Sequence, residues 1–261
     1  MIPVLLGIGI GAVMGLTGAG GGILAVPALV FFLGLPLAEA APVALVAVAL
    51  AGLLGTAEGL KRKLVRYRAA IFMAVIGMSM SPLGLKVARV APERLLLAGF
   101  AAVMVFVAWR MLAGADRERR EADVPCHVDP GTGRLRWTPR TAGALALIGG
   151  SAGFLTGLLG VGGGFLIVPA LRRASDISMQ GIVATSIALI TLVATGTVVT
   201  ALLQSHPVPW TIAAPFAGGA MAGMLAGRFG ARRLPAATLQ RIFGGVAAIV
   251  AVALLVRAFA T

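Results

Sequence analysis

The sequence predicts an all-α polytopic membrane protein built from two inverted repeats, each a broken or re-entrant helical hairpin followed by three transmembrane helices. Three observations predict it: the chain is strongly apolar, one fifteen-residue phrase occurs twice, and the basic residues divide unevenly between successive loops. Of 261 residues, 59% are hydrophobic and only 12% charged, with a mean hydropathy of +1.00; a soluble domain carries about 25% charged residues. Charge-free apolar runs cover residues 2–38, 40–57, 69–85, 95–109, 141–171, 177–204, 208–227 and 242–256. Most are long enough for a bilayer core, which takes about 20 residues. The first run has no basic n-region, the first basic residue being Lys61, so it reads as retained structure and not as a signal peptide.

Residues 15–29 read GLTGAGGGILAVPAL and residues 157–171 read GLLGVGGGFLIVPAL, an offset of 142. The likeness continues outside the phrase: Ala88, Arg89 and Pro92 answer Ala231, Arg232 and Pro235. The chain therefore divides into an N-terminal membrane repeat (1–112), a charged, turn-rich cytoplasmic linker (113–140) and a C-terminal repeat (141–261). In the linker, VDPGTGRLRW has the turn residues of a small hairpin around Asp129 to Gly133. As one helix, residues 3–34 would measure about 48 Å against a hydrocarbon core of about 30 Å. Broken at Gly18 to Gly22, they give two pieces of roughly 12 to 14 residues, each too short to span alone. An interrupted span or a re-entrant hairpin with its glycine tip near mid-membrane satisfies this length.

Basic residues discriminate between the two. With single broken spans, 13 of the 22 Lys and Arg fall on one side and 9 on the other. With hairpins, 18 gather on one side and only Lys86, Arg89, Arg94 and Arg257 stay opposite. Lys and Arg concentrate in cytoplasmic loops, which favours the hairpins. Each half then crosses the membrane an odd number of times, and the halves take opposite orientations. Inverted repeats with discontinuous helices build secondary transporters whose substrate site lies at mid-membrane. The phrase occurs twice because one copy enters from each side and the tips meet.

Glycine at such tips permits positive φ and close backbone approach. Helices restarting near Gly22 and Gly164 present unsatisfied N–H groups and a positive dipole end, which is an anion site made of backbone. The candidate substrate-binding residues are Thr17, Gly18, Gly20, Gly21 and Gly22 in the first half. Thr156, Gly160, Gly162, Gly163, Gly164, Thr185 and Ser186 are those of the second. Pro27 and Pro169 read as hinges inside the second half-helices. For most of the 36 glycines, tight helix packing is the plainer role.

Other functions fit less well. Gly20, Gly22 and Ala25 match a GxGxxA dinucleotide pattern, but no strand precedes them in a soluble βαβ unit. The nine acids and both histidines lie at span ends or in polar segments, so neither an intramembrane enzyme nor a cofactor is expected. Cys126 and His127 are adjacent where a zinc site wants four spaced ligands, and no metal is expected. The net charge of +13 is spread over short loops, which argues against nucleic acid as partner. The partners expected are the lipid bilayer and a small anionic solute, with no oligomeric state implied. Glu58, in GTAEGLKRK, should pair with neighbouring basic residues.

Two copies of G-x-x-G-x-G-G-G followed by x-x-x-V-P-x-L, in a chain of this length, resemble the sulfite exporter TauE/SafE family. The ATS at Ala184 to Ser186 also resembles that family's pattern, whereas the first half has Pro42-Val43-Ala44 at the matching place and lacks the hydroxyl pair. The resemblance implies a secondary transporter of sulfite, sulfonates or related organosulfur anions in a bacterial-type inner membrane.

Overall fold

A computed structural model describes residues 1–17, 21–112, 124–127, 135–161, 163–203, 208–231 and 236–260. Among these, ten α-helices account for nearly all regular structure: α1 (Ile2–Thr17), α2 (Ala25–Phe32), α3 (Leu37–Lys61), α4 (Tyr67–Val90), α5 (Glu93–Leu112), α6 (Pro139–Leu159), α7 (Gly164–Ala174), α8 (Met179–Leu203), α9 (Trp210–Ala231) and α10 (Ala236–Ala260). A 3-10 turn, Gly21–Leu24, leads into α2. Helices α3, α6 and α8 and residues 67–88 of α4 are each long and apolar enough to cross a membrane. The chain is thus an all-α polytopic membrane protein. Each half contributes a pair broken at glycines, α1 with α2 and α6 with α7, and then three longer helices.

The pairing of helices exchanges partners between the halves. Helix α1 packs on α9 and α6 on α4, α3 crosses α8, and α5 packs on α10. Glycines make the first two contacts. A Cβ on Gly7, Gly11 or Gly15 would collide with the Phe216, Ala220 and Met224 carbonyls in turn, and one on Gly219, Gly223 or Gly227 with those of Val4, Ile8 and Ala12. The same occurs where Gly149, Gly153 and Gly157 of α6 meet Met73, Gly77 and Ser81 of α4. Small residues at four-residue spacing let helix backbones touch, which supplies dispersion contact where lipid offers no hydrophobic drive. Gly15 and Gly157, the first letters of the duplicated phrase, belong to these seams and not to the breaks.

The order of these contacts gives the helix directions. Rising numbers meet rising numbers between α1 and α9 and between α4 and α6, so each pair is parallel. Gly52, Gly55 and Gly59 of α3 face Thr191, Ile187 and Ala184 of α8, so that pair is antiparallel. Gly77 beside Val193 and Ser81 bonded to Thr197 at 2.6 Å make α4 parallel to α8. Gly55 beside Met224 and Glu58 paired with Arg228 make α3 parallel to α9. Helices α1, α3 and α9 therefore point one way and α4, α6 and α8 the other. The matched helices of the two halves, α1 and α6 or α3 and α8, run oppositely. One end of the bundle carries Lys61 to Arg68, Arg140, Arg172, Arg173 and Arg228, while Lys86 lies toward the other.

The linker touches the bundle at that charged end. Cys126 pairs with Ser175 in an isolated β-bridge, its N–H donating to the Ala174 carbonyl at 2.9 Å. It is fully buried, because the chain end of α7 covers it. Thr138 caps α6, its hydroxyl accepting from the Thr141 N–H at 3.1 Å with Pro139 in the first turn, so the helix starts two residues before the expected 141. The hairpin expected around Asp129 to Gly133 lies outside the described residues.

Candidate functional site

The breaks follow from glycine geometry. Gly160 closes α6 in the left-handed region at φ 70°, and Gly163 opens α7 at φ 60°, conformations that L side chains enter at a cost. Gly163 lies back against Ala152 of α6: an added Cβ would stand 2.8 Å from the Ala152 carbonyl oxygen. Gly21 likewise lies back on Met14 of α1. In both halves the chain therefore turns on itself, as a re-entrant hairpin requires. Positive φ at Gly21 is not observed: it sits in the 3-10 turn, and the left-handed glycines among the described residues are Gly34, Gly160 and Gly163. What needs glycine at 21 is the contact with Met14.

The two legs are unequal, contrary to the expected pieces of 12 to 14 residues. Helix α1 has 16 residues and α6 has 21, whereas α2 has 8 and α7 has 11. The long legs overshoot the centre because the glycine seams hold them alongside α9 and α4 for most of their length. Gly15 is already level with Met224 and Arg228, in the last two turns of α9. Consequently the restart of the second half at Gly163, not its outermost tip, reaches mid-depth. Ala152 neighbours Gly153, which lies on Gly77 near the middle of α4.

There the two halves meet. A Cβ on Gly22 would be 3.1 Å from Val48 of α3 and 3.5 Å from the Val161 carbonyl oxygen of the opposite break. Neither α2 nor α7 has a side-chain cap at its start, so the first N–H groups of α7 have no partner in their own helix. The first bond of that helix brings the Leu166 N–H to the Gly163 carbonyl at 3.1 Å. Gly21 and Gly22 are buried, as are Gly163 and Gly164. Gly18, Gly20 and Gly162 lie outside the described residues, and Thr17 is the last residue of α1.

The hydroxyl candidates are not gathered at this point. Thr156, fully buried, donates to its own helix at the Ala152 carbonyl, 2.7 Å. Gly160 reaches Ala41 in the first turns of α3, toward the other end of the bundle. Thr185 and Ser186 are fully buried and sit about 10 Å along α8 from Val193, which is level with Gly77, at 1.5 Å per residue. Ile187 and Met224 both touch Gly55, and Met224 also touches Gly15. This puts the hydroxyl pair level with the end of α1, the start of the first break. Its counterparts Val43 and Ala44 are buried and apolar. Ser186 Oγ has no hydrogen-bond partner. Pro27 and Pro169 lie inside α2 and α7.

Charged contacts sit at the same end. Glu58 pairs with Arg62 at 2.7 Å, as its neighbourhood foretold, and also with Arg228 of α9. That second partner is 170 residues away and nothing local signals it. Among the described residues no group of His, Cys, Asp and Glu is placed to hold a metal.

Broken helices whose glycine breaks meet inside a polytopic bundle are a feature of membrane transporters. The sulfite exporter TauE/SafE family model matches residues 3–254. The chain belongs to that family. It is 33% identical over 262 residues to a probable membrane transporter protein of Xylella fastidiosa strain 9a5c, covering 97% of this chain and 93% of the relative. A probable membrane transporter protein of strain Temecula1 is 32% identical with the same coverage. No solved structure matches. The protein is a multi-pass membrane protein.

Proposed function

We propose that this protein is a secondary transporter that exports a small anion, sulfite or a sulfonate, across the bacterial-type inner membrane. Its two halves act as inverted repeats around a mid-depth site. The observation that carries this reading is the meeting of the two glycine breaks, Gly22 against the Val161 carbonyl, with the uncapped start of α7 beside them. Backbone N–H groups at a helix start bind anions without a fixed charge, so the solute is held and still released. The end rich in Lys and Arg is cytoplasmic by the positive-inside rule, and the linker lies there.

No Asp, Glu or His is expected within the spans, and the energy source assigned is the membrane potential acting on the anion. With the interior negative, outward movement of one negative charge gains about 2.3 kcal/mol per 100 mV, and a dianion about twice that. Flux of sulfite from proteoliposomes under a potassium-valinomycin potential, with no pH gradient, tests this. The rate is expected to rise with the potential and to saturate with substrate. Indifference to the potential, with acceleration by a pH gradient alone, would replace export by proton-coupled uptake, and a non-saturating rate would indicate a channel.

A further inference from the structure

Among the described residues, two buried side-chain polar atoms have no hydrogen-bond partner: Arg66 Nε and Ser186 Oγ. The Arg66 backbone N–H donates to the Thr185 hydroxyl at 3.0 Å, which ties the segment before α4 to the turn of α8 that carries both hydroxyls. Ser186 is wholly buried. A buried polar atom without a partner is costly, and two such atoms on segments joined by this hydrogen bond suit a third species that accepts from both. A guanidinium N–H and a hydroxyl donate to an oxyanion.

The surroundings agree. Leu64, Val65, Ala70, Ala184 and Ala188 form a small apolar cluster separate from the main core, while Ile182 and Ile187 belong to the main core. Thr185 and Ser186 thus lie on the turn of α8 between two packed regions. Glu58 is engaged by Arg62 and Arg228, and among the described residues no carboxylate is within ion-pair distance of Arg66. Lys61, Arg62, Lys63 and Arg68 add positive charge nearby. The matching place in the other half is apolar throughout: Val208 and Pro209 stand for Arg66, and Val43 and Ala44 stand for Thr185 and Ser186.

We propose that Arg66, Thr185 and Ser186 form an anion-collecting subsite at the charged end of the bundle, ahead of the mid-depth glycine site and present on that side alone. It takes a sulfur oxyanion with at least two acceptor oxygens, one for the Arg66 guanidinium and one for the Ser186 hydroxyl. This rests on the transport reading above, which it extends with a directional first station.

The test uses the purified full chain, titrated calorimetrically with sodium sulfite, sodium methanesulfonate and, as a carboxylate, sodium acetate. Proteoliposome flux is measured with sulfite supplied from either side. Arg66→Gln and Ser186→Ala are each expected to weaken sulfite or methanesulfonate binding about tenfold or more, as loss of a charge-assisted bond does. They should raise the half-saturating concentration from the charged side only. Ser186→Ala should leave the ligand-free melting temperature unchanged or higher, since it removes an unpaired buried hydroxyl; that separates a binding role from a packing one. Wild-type affinity in both variants would overturn the subsite, and loss of flux in Gly163→Val would still uphold the mid-depth site. Equal binding of acetate would overturn the assignment to sulfur oxyanions. A wild-type protein that binds none of the probes and shows no flux would overturn both readings.

Discussion

Replacing Gly163 by alanine isolates what the second break contributes, because the chain contains a matched control. Gly163 has φ 60° and Gly34 has φ 66°, and in that region an L residue costs roughly 1 to 2 kcal/mol. Around Gly34 an added Cβ meets nothing within 4 Å, whereas at Gly163 it stands 2.8 Å from the Ala152 carbonyl oxygen and 3.0 Å from the Ala152 Cβ. Both substitutions carry the same backbone penalty, and only Gly163→Ala also pushes α7 off α6 and displaces the restart. Gly34→Ala should lower the melting temperature in detergent by about 2 to 4 °C per kcal/mol and leave sulfite flux within about twofold of wild type. Gly163→Ala should lower it further and slow flux about tenfold or more, since each 1.4 kcal/mol against the competent conformation is a factor of ten. Equal flux in the two variants would refute the reasoning and reduce Gly163 to a flexible link.

Gly21→Val should abolish flux through collision with Met14 while the protein still inserts; failure to accumulate in the membrane, rescued by smaller residues on facing helices, would instead indicate a packing role. Glu58→Gln should cost about 1 kcal/mol, the scale of partly exposed ion pairs, and the exchange Glu58→Arg with Arg228→Glu should recover part of the lost melting temperature. Burial first, and the nearby Asp176 charge second, raise the Cys126 thiol above its ordinary value, so less thiolate is present at neutral pH; labelling by a thiol reagent should be slow at pH 7 and quicken with rising pH and in Asp176→Asn. In a Cys126-free background, cysteines at Leu203 and Arg173 should label from opposite sides of the membrane, and labelling from the same side would contradict the opposed orientation of the halves.

The helical class, the two breaks and the charged end were legible because each depends on local composition: glycine clusters interrupt helices wherever they fall, and Lys and Arg report one end directly. What the sequence does not show is which helix meets which. The seams of Gly7, Gly11 and Gly15 or of Gly149, Gly153 and Gly157 mark a face, but only the folded chain tells that the face belongs to a helix of the other half. The unequal legs escaped for the same reason, since the seam partner sets how far α1 and α6 extend. Gly21 and Gly163 occupy equivalent letters of one phrase, yet one is required by contact and the other by φ. Thr185 and Ser186 stand out in the sequence through their place after the repeated phrase, but Arg66, whose backbone N–H donates to Thr185, lies in the other half and carries no sequence signal beyond its charge.

The exchange of partners between the halves also governs how the molecule is made. Helix α1 leaves the ribosome early, but its glycine face is completed only by residues 210–231. At about 5 to 20 residues per second, that partner emerges roughly 10 to 40 s later. During this interval α1 rests in lipid or in the insertion machinery with its seam unfilled, and α4 in turn waits for α6. Neither half completes its helix contacts alone, and the last of them, α10 on α5, waits for residues 236–260.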